Sequence, residues 1–64
     1  MIRGASKGDD VIIHLFAGSW GTIQGKRILS QHVWYAVKIK DPGKSKFRTG
    51  DTIDCRPRWL SRRK

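Results

Sequence analysis

A chain of 64 residues that sets 14 Lys and Arg against five Asp, for a net charge of +9, has room for one domain near the lower size limit. Most of its surface carries a positive field, the kind that collects polyanions and nucleic-acid phosphates above all. A large core is excluded, because a domain near this size buries only ~60 per cent of its unfolded surface, and the lone Cys55 excludes an internal disulfide and a Cys-based zinc site.

Gly or Pro punctuates the chain every ~10 residues and apolar positions alternate in twos, so the chain reads as all-β. Lys7-Gly8-Asp9-Asp10 is a turn, and residues 11–16 form a first strand, with Val11, Ile13 and Leu15 on one face and Ile12, His14 and Phe16 on the other. Residues 17–21 break it and place Trp20 at a loop tip. A second strand starts at Thr22, kinks or bulges at Gly25 and continues through Ile28 and Leu29. Residues 33–40 are the clearest strand: Val33, Tyr35, Val37 and Ile39 face one way, and Trp34, Ala36, Lys38 and Lys40 the other. Asp41-Pro42-Gly43-Lys44 closes it with the type II signature.

Residues 45–49 are expected as a fourth strand around Phe47, with Lys44, Lys46 and Arg48 projecting to one side as a basic stripe. Residues 52–56 are the fifth, with Ile53 and Cys55 inward, and Pro57 ends the ladder. Arg58-Trp59-Leu60 is read as a helical turn or a last short strand, with Trp59 or Leu60 capping an open end. The expected fold is a small five-stranded antiparallel barrel spanning residues 1–60, followed by a basic tail at 61–64. Its interior would hold Val11, Ile13, Leu15, Ile23, Val33, Tyr35, Val37, Ile39 and Ile53.

Lys7-Gly8-Asp9-Asp10-Val11-Ile12-Ile13, followed by Gly18-Ser19-Trp20-Gly21-Thr22-Ile23, resembles the opening of Src-homology-3-like (SH3-like) small barrels and of the KOW motif in particular. The likeness covers about the first 25 residues and implies a nucleic-acid-binding module, since KOW domains mostly contact RNA. Trp20 departs from the pattern at a loop position that is often basic or small. The same residues, continued to Tyr35-Ala36-Val37, also resemble the type II plasmid dihydrofolate reductases. Those enzymes carry a Val-Gln-Ile-Tyr run on the catalytic strand; the corresponding Thr52-Ile53-Asp54-Cys55 lacks the Gln and the Tyr. Photosystem small barrels that dock acidic ferredoxins share the layout and the basic face.

Candidate binding residues follow from charge and aromaticity. Trp34 beside Lys38 and Lys40 is either a stacking platform for a base or a ring packed under a loop or the C-terminal segment. Trp20 either inserts into a groove or folds back over the barrel mouth, and Trp59 reads as structural. Lys44, Lys46 and Arg48 extend the face along the hairpin, and Arg58, Arg62, Arg63 and Lys64 extend it along the tail. Lys26 and Arg27 lie apart from it. With no Asn, and only Gln24 and Gln31 for base edges, binding to DNA or RNA should be electrostatic and weakly selective.

Catalysis finds no support: His14 and His32 have no nucleophile in a meaningful pattern, the Asp residues read as turn formers, and Cys55 beside Asp54 has a thiol raised rather than activated. No metal-ligand spacing exists and no cofactor is expected. The alternative partner is an acidic protein in a larger assembly, and the thin core leaves room for self-association. No run approaches the ~18 apolar residues of a membrane span, and Met1-Ile2-Arg3-Gly4-Ala5-Ser6-Lys7 lacks the apolar stretch of a signal peptide. A cytoplasmic protein is therefore expected, with the nucleoid or the ribosome as places where it could associate.

Overall fold

The computed structural model describes residues 4–63. Five antiparallel strands, β1 (Asp10–Ile13), β2 (Trp20–Leu29), β3 (His32–Asp41), β4 (Thr52–Cys55) and β5 (Leu60–Arg62), form one sheet in the order β4-β3-β2-β1-β5. The only helical element among the described residues is a single 3₁₀ turn at Pro57–Trp59, which carries the chain from one sheet edge to the other. Fold class is thus all-β, and the arrangement is compatible with an SH3-like fold. The ladder runs from β4 to β5 and does not close on itself.

The period-2 pattern of β3 decides the core. Tyr35, Val37 and Ile39 are buried, and they meet Val11 and Ile13 of β1, Ile23 of β2, Cys55 of β4 and Leu60 of β5. Val33 and Ile53 are half-buried against this cluster. Leu15, expected inside, is 49% exposed. The strand that should have carried it inward stops at Ile13, because the buried Ser19 shares its one hydroxyl proton between the carbonyls of Ile13 (3.0 Å) and Phe16 (2.8 Å) and its N–H donates to the Phe16 carbonyl (3.2 Å). That side chain turns residues 14–18 into a loop, and Phe16 re-enters half-buried to meet Phe47 edge-on with ring centroids 5.7 Å apart.

The fourth strand expected at residues 45–49 does not form, and β4 at Thr52–Cys55 is the strand expected fifth at residues 52–56. Its polar groups find local partners instead: Ser45 N–H donates to the Pro42 carbonyl, Phe47 N–H to Ser45 Oγ and Arg48 N–H to Asp51 Oδ2. Loop 42–51 is pinned to the β1–β2 loop by Lys44 N–H donating to the Ala17 carbonyl at 2.9 Å. At Gly43 (φ 55) a Cβ would lie 2.3 Å from the Ala17 carbonyl oxygen, so only glycine permits this approach.

β2 shifts register between Ile23 and Gly25, where the bulge was expected. Beyond it the β2–β3 hairpin turns through Ser30 (φ 50) and Gln31 (φ 65). Both are non-glycine residues in the left-handed region, which costs roughly 1–2 kcal/mol each and is a place where Asn-Gly is the favoured pair.

The expected tail boundary falls inside a strand. Ser61 pairs with Ile12 and Arg62 with Val11, and Arg63 N–H donates to the Asp10 carbonyl at 3.0 Å. The reason is the unpaired edge of β1, which takes up the polar run as a fifth strand once Leu60 is buried beside Ile13. Among the described residues no helix is long and apolar enough to cross a membrane.

Candidate nucleic-acid interface

Side chains that alternate with the core residues build the outward face of β3. Trp34 and Ala36 are half-buried, and Lys38 and Lys40 are exposed. Across the ladder Trp34 sits opposite Arg27, Ala36 opposite Gly25 and Lys38 opposite Thr22 on β2; Ala36 also faces Asp54, and Lys38 faces Thr52, on β4. An Arg27–Asp54 ion pair bridges the two flanking strands. Beside it lies a shallow depression of about 380 Å³ over Ala36, between residues 24–27 of β2 and Thr52 and Asp54 of β4.

Trp34, half-buried, takes the second of its two sequence alternatives and packs against the C-terminal segment. One side of the ring meets Trp59 edge-on, centroids 5.8 Å apart, and the Arg56 guanidinium carbon lies 5.4 Å from the Trp34 centroid. The Arg56 Nε is buried with no hydrogen-bond partner among the described residues, so the indole is the contact its head group has there. Trp20 is placed differently from its expected loop tip. It opens β2, opposite Ile12 and Asp41, and the Arg63 guanidinium carbon stacks 3.8 Å from its centroid. Each of these tryptophans therefore carries an arginine against its ring.

Lys44, Lys46 and Arg48 are exposed while Ser45 and Phe47 are half-buried, so the alternation survives in a loop without a strand to organise it. Arg58 is exposed on the 3₁₀ turn. Arg62 donates to Asp9 Oδ2 at 3.1 Å. The Ser6 amide donates to the same oxygen, and this bond first, then Arg62, holds the Asp9 carboxyl below its ordinary range. The carboxylate form is thereby favoured in the fold, a contribution present above the ordinary carboxylate range and lost on acidification through the lowered value. Lys64 lies outside the described residues. Sequence reasoning missed Arg56 as a partner of Trp34. The available signal was its position just after the inward Cys55, on the outward side shared with Trp34.

Neither histidine gains a catalytic neighbour in sequence, but His14 Nε2 and Ser61 Oγ lie 2.7 Å apart, which ties the β1–β2 loop to β5. Cys55 is buried. Burial, and then the neighbouring Asp54 carboxylate, push its thiol from an ordinary 9.0 up to about 11. The neutral thiol is favoured in the fold, so this contribution is complete below about pH 9 and lost as pH rises toward 11. Urea melts should show a stability loss of up to ~2–3 kcal/mol across that window. The step should vanish in Cys55→Ala, and its persistence there would assign it to another group.

No family model matches this chain, and no curated protein and no solved structure proved similar to it. Its function therefore rests on its own residues.

Proposed function

We propose that this chain is a non-catalytic nucleic-acid-binding module of the small SH3-like barrel type, which contacts its ligand through the outward face of β2 and β3. One observation carries the reading: β3 buries Tyr35, Val37 and Ile39 while turning Trp34, Lys38 and Lys40 outward, on a chain of net charge +9. Lysines supply phosphate contacts, and an indole supplies a π-face that any base can stack on, worth ~1–3 kcal/mol per base. The likeness of the Lys7 to Ile23 segment to KOW modules supports the same reading. Arg56 and Arg63 now occupy the tryptophan rings; a phosphate drawing either guanidinium away would open the ring to a base. Lys44, Lys46, Arg48 and Arg58 extend the positive field, as does the end of the chain.

Binding to random DNA or RNA should fall steeply with salt, with a log-log slope that implies roughly 4–7 phosphate contacts. Titration of tryptophan fluorescence with oligonucleotides at several salt concentrations measures it. A slope near zero would sink the proposal. A slope as steep with poly-glutamate, at equal or higher affinity, would replace it with docking to an acidic protein.

A further inference from the structure

The core aliphatics Val11, Ile13, Ile23, Val37, Ile39 and Leu60 are wholly buried, yet Ile28 is 69% and Leu29 45% exposed. Both sit at the end of β2, and every residue from Lys26 to His32 is exposed. Beyond the buried Tyr35, the pairs Arg27–Trp34, Ile28–Val33 and Leu29–His32 extend the hairpin by roughly 10 Å at ~3.4 Å per pair. The Ser30-Gln31 turn that ends it holds two left-handed non-glycine residues. Exposed aliphatics and a strained turn therefore coincide at one tip, on a stem that carries Lys26 and Arg27.

We propose that this hairpin tip is an apolar wedge that enters duplex DNA at a base step, with Ile28 and Leu29 as the inserting side chains, Lys26 as a phosphate contact beside them, and Arg27 as a second one reached by exchanging Asp54 for a phosphate. The inference rests on the nucleic-acid reading above and adds the form of the ligand and a bend. Adjacent strand residues point to opposite faces, so Ile28 and Leu29 make the tip apolar on both sides, as a side chain between two stacked base pairs requires. Aliphatic residues inserted in this way unstack a step and kink the duplex by ~20–90°. Such wedges enter duplex DNA from its minor groove, which β-ribbons and sheets also reach. A second copy of the chain is a poorer occupant. The two side chains expose on the order of 200 Å², against the ~1,000 Å² that a specific protein interface clears.

The test uses a DNA duplex of about 20 base pairs labelled at both ends, with energy transfer as the readout of bending. Wild-type protein should raise the transfer on binding. The double variant Ile28→Thr/Leu29→Thr keeps β-propensity but places hydroxyls at the tip, so it should bind about tenfold more weakly and leave the transfer at the value of unbound DNA. The swap Ile28→Leu/Leu29→Ile should restore bending, which separates loss of the wedge from loss of the hairpin. Wild-type binding without a change in transfer, or equal bending by the Thr variant, overturns the wedge and leaves the nucleic-acid reading standing. No duplex binding at low salt, together with none to single strands, overturns both. Loss of binding to phosphatidylserine vesicles in the Thr variant, with DNA bending intact, would reassign the tip to a lipid surface.

Discussion

Tyr35→Ala should destabilise the domain by roughly 3–5 kcal/mol, while Trp34→Ala next to it should cost only about 1–2 kcal/mol. Tyr35 is 6% exposed in the middle of the core, between Lys26 on β2 and Cys55 on β4. Truncation there leaves a cavity that a thin interior has few side chains to fill. Stability of this size of chain is about 3–10 kcal/mol at ~0.05–0.15 kcal/mol per residue, so the variant should be largely unfolded near room temperature or close to it. Trp34 is half-buried and loses the edge contact with Trp59 and the stack with Arg56. Those contacts are worth ~0.5–1.5 and ~0.5–1 kcal/mol. In the binding assay Trp34→Ala, which stays folded, should cost roughly 1–3 kcal/mol of oligonucleotide affinity through lost stacking. Urea melts and fluorescence titrations of both variants decide the matter. If Trp34→Ala unfolds the protein and Tyr35→Ala only weakens binding, the face described as outward is the core.

What could be read from the sequence was whatever depends on near neighbours. The alternation along residues 33–40 places Tyr35, Val37 and Ile39 in the core, Val33 half-buried against it, and Lys38 and Lys40 on the exposed face, because the side-chain period of a strand is fixed by its backbone. The bulge at Gly25 and the positive φ at Gly43 were legible for the same reason. Residues 45–49 carry the same alternation, and there it misleads. Whether a segment joins a ladder depends on an available edge, and Ser45, Phe47, Arg48 and Asp51 satisfy one another locally instead. Polar composition hid β5 in the opposite way: a run of cations reads as a solvated end, yet the open edge of β1 recruits it. The Arg56–Trp34 contact was hinted at by the place of Arg56 just after the inward Cys55, whereas the Arg63–Trp20 stack was out of reach, because it joins residues that only the completed fold brings together.

Ending the chain at Leu60 should therefore unfold the domain or nearly so, rather than trim a solvated end. The deletion removes the pairing of Ser61 and Arg62 with β1, the Arg63 amide bond to the Asp10 carbonyl, the Arg62–Asp9 ion pair and the arginine over Trp20. Backbone hydrogen bonds contribute ~0.5–1.5 kcal/mol each. The exposed ion pair adds at most ~1 kcal/mol and the stack a similar amount, for a total of about 3 kcal/mol or more. That is comparable to the whole stability of a small domain. Charge and structure separate in a second variant, Arg62→Gln/Arg63→Gln, which keeps the backbone ladder and removes two cations. It should lose about 1–2 kcal/mol of stability and bind oligonucleotides several-fold more weakly, with a shallower salt slope. Far-UV circular dichroism and urea melts of the truncated chain, set beside those of the double Gln variant, give the answer. A truncated chain with the full-length urea midpoint would mean that β5 adds nothing to the fold and that the last residues serve the positive field alone.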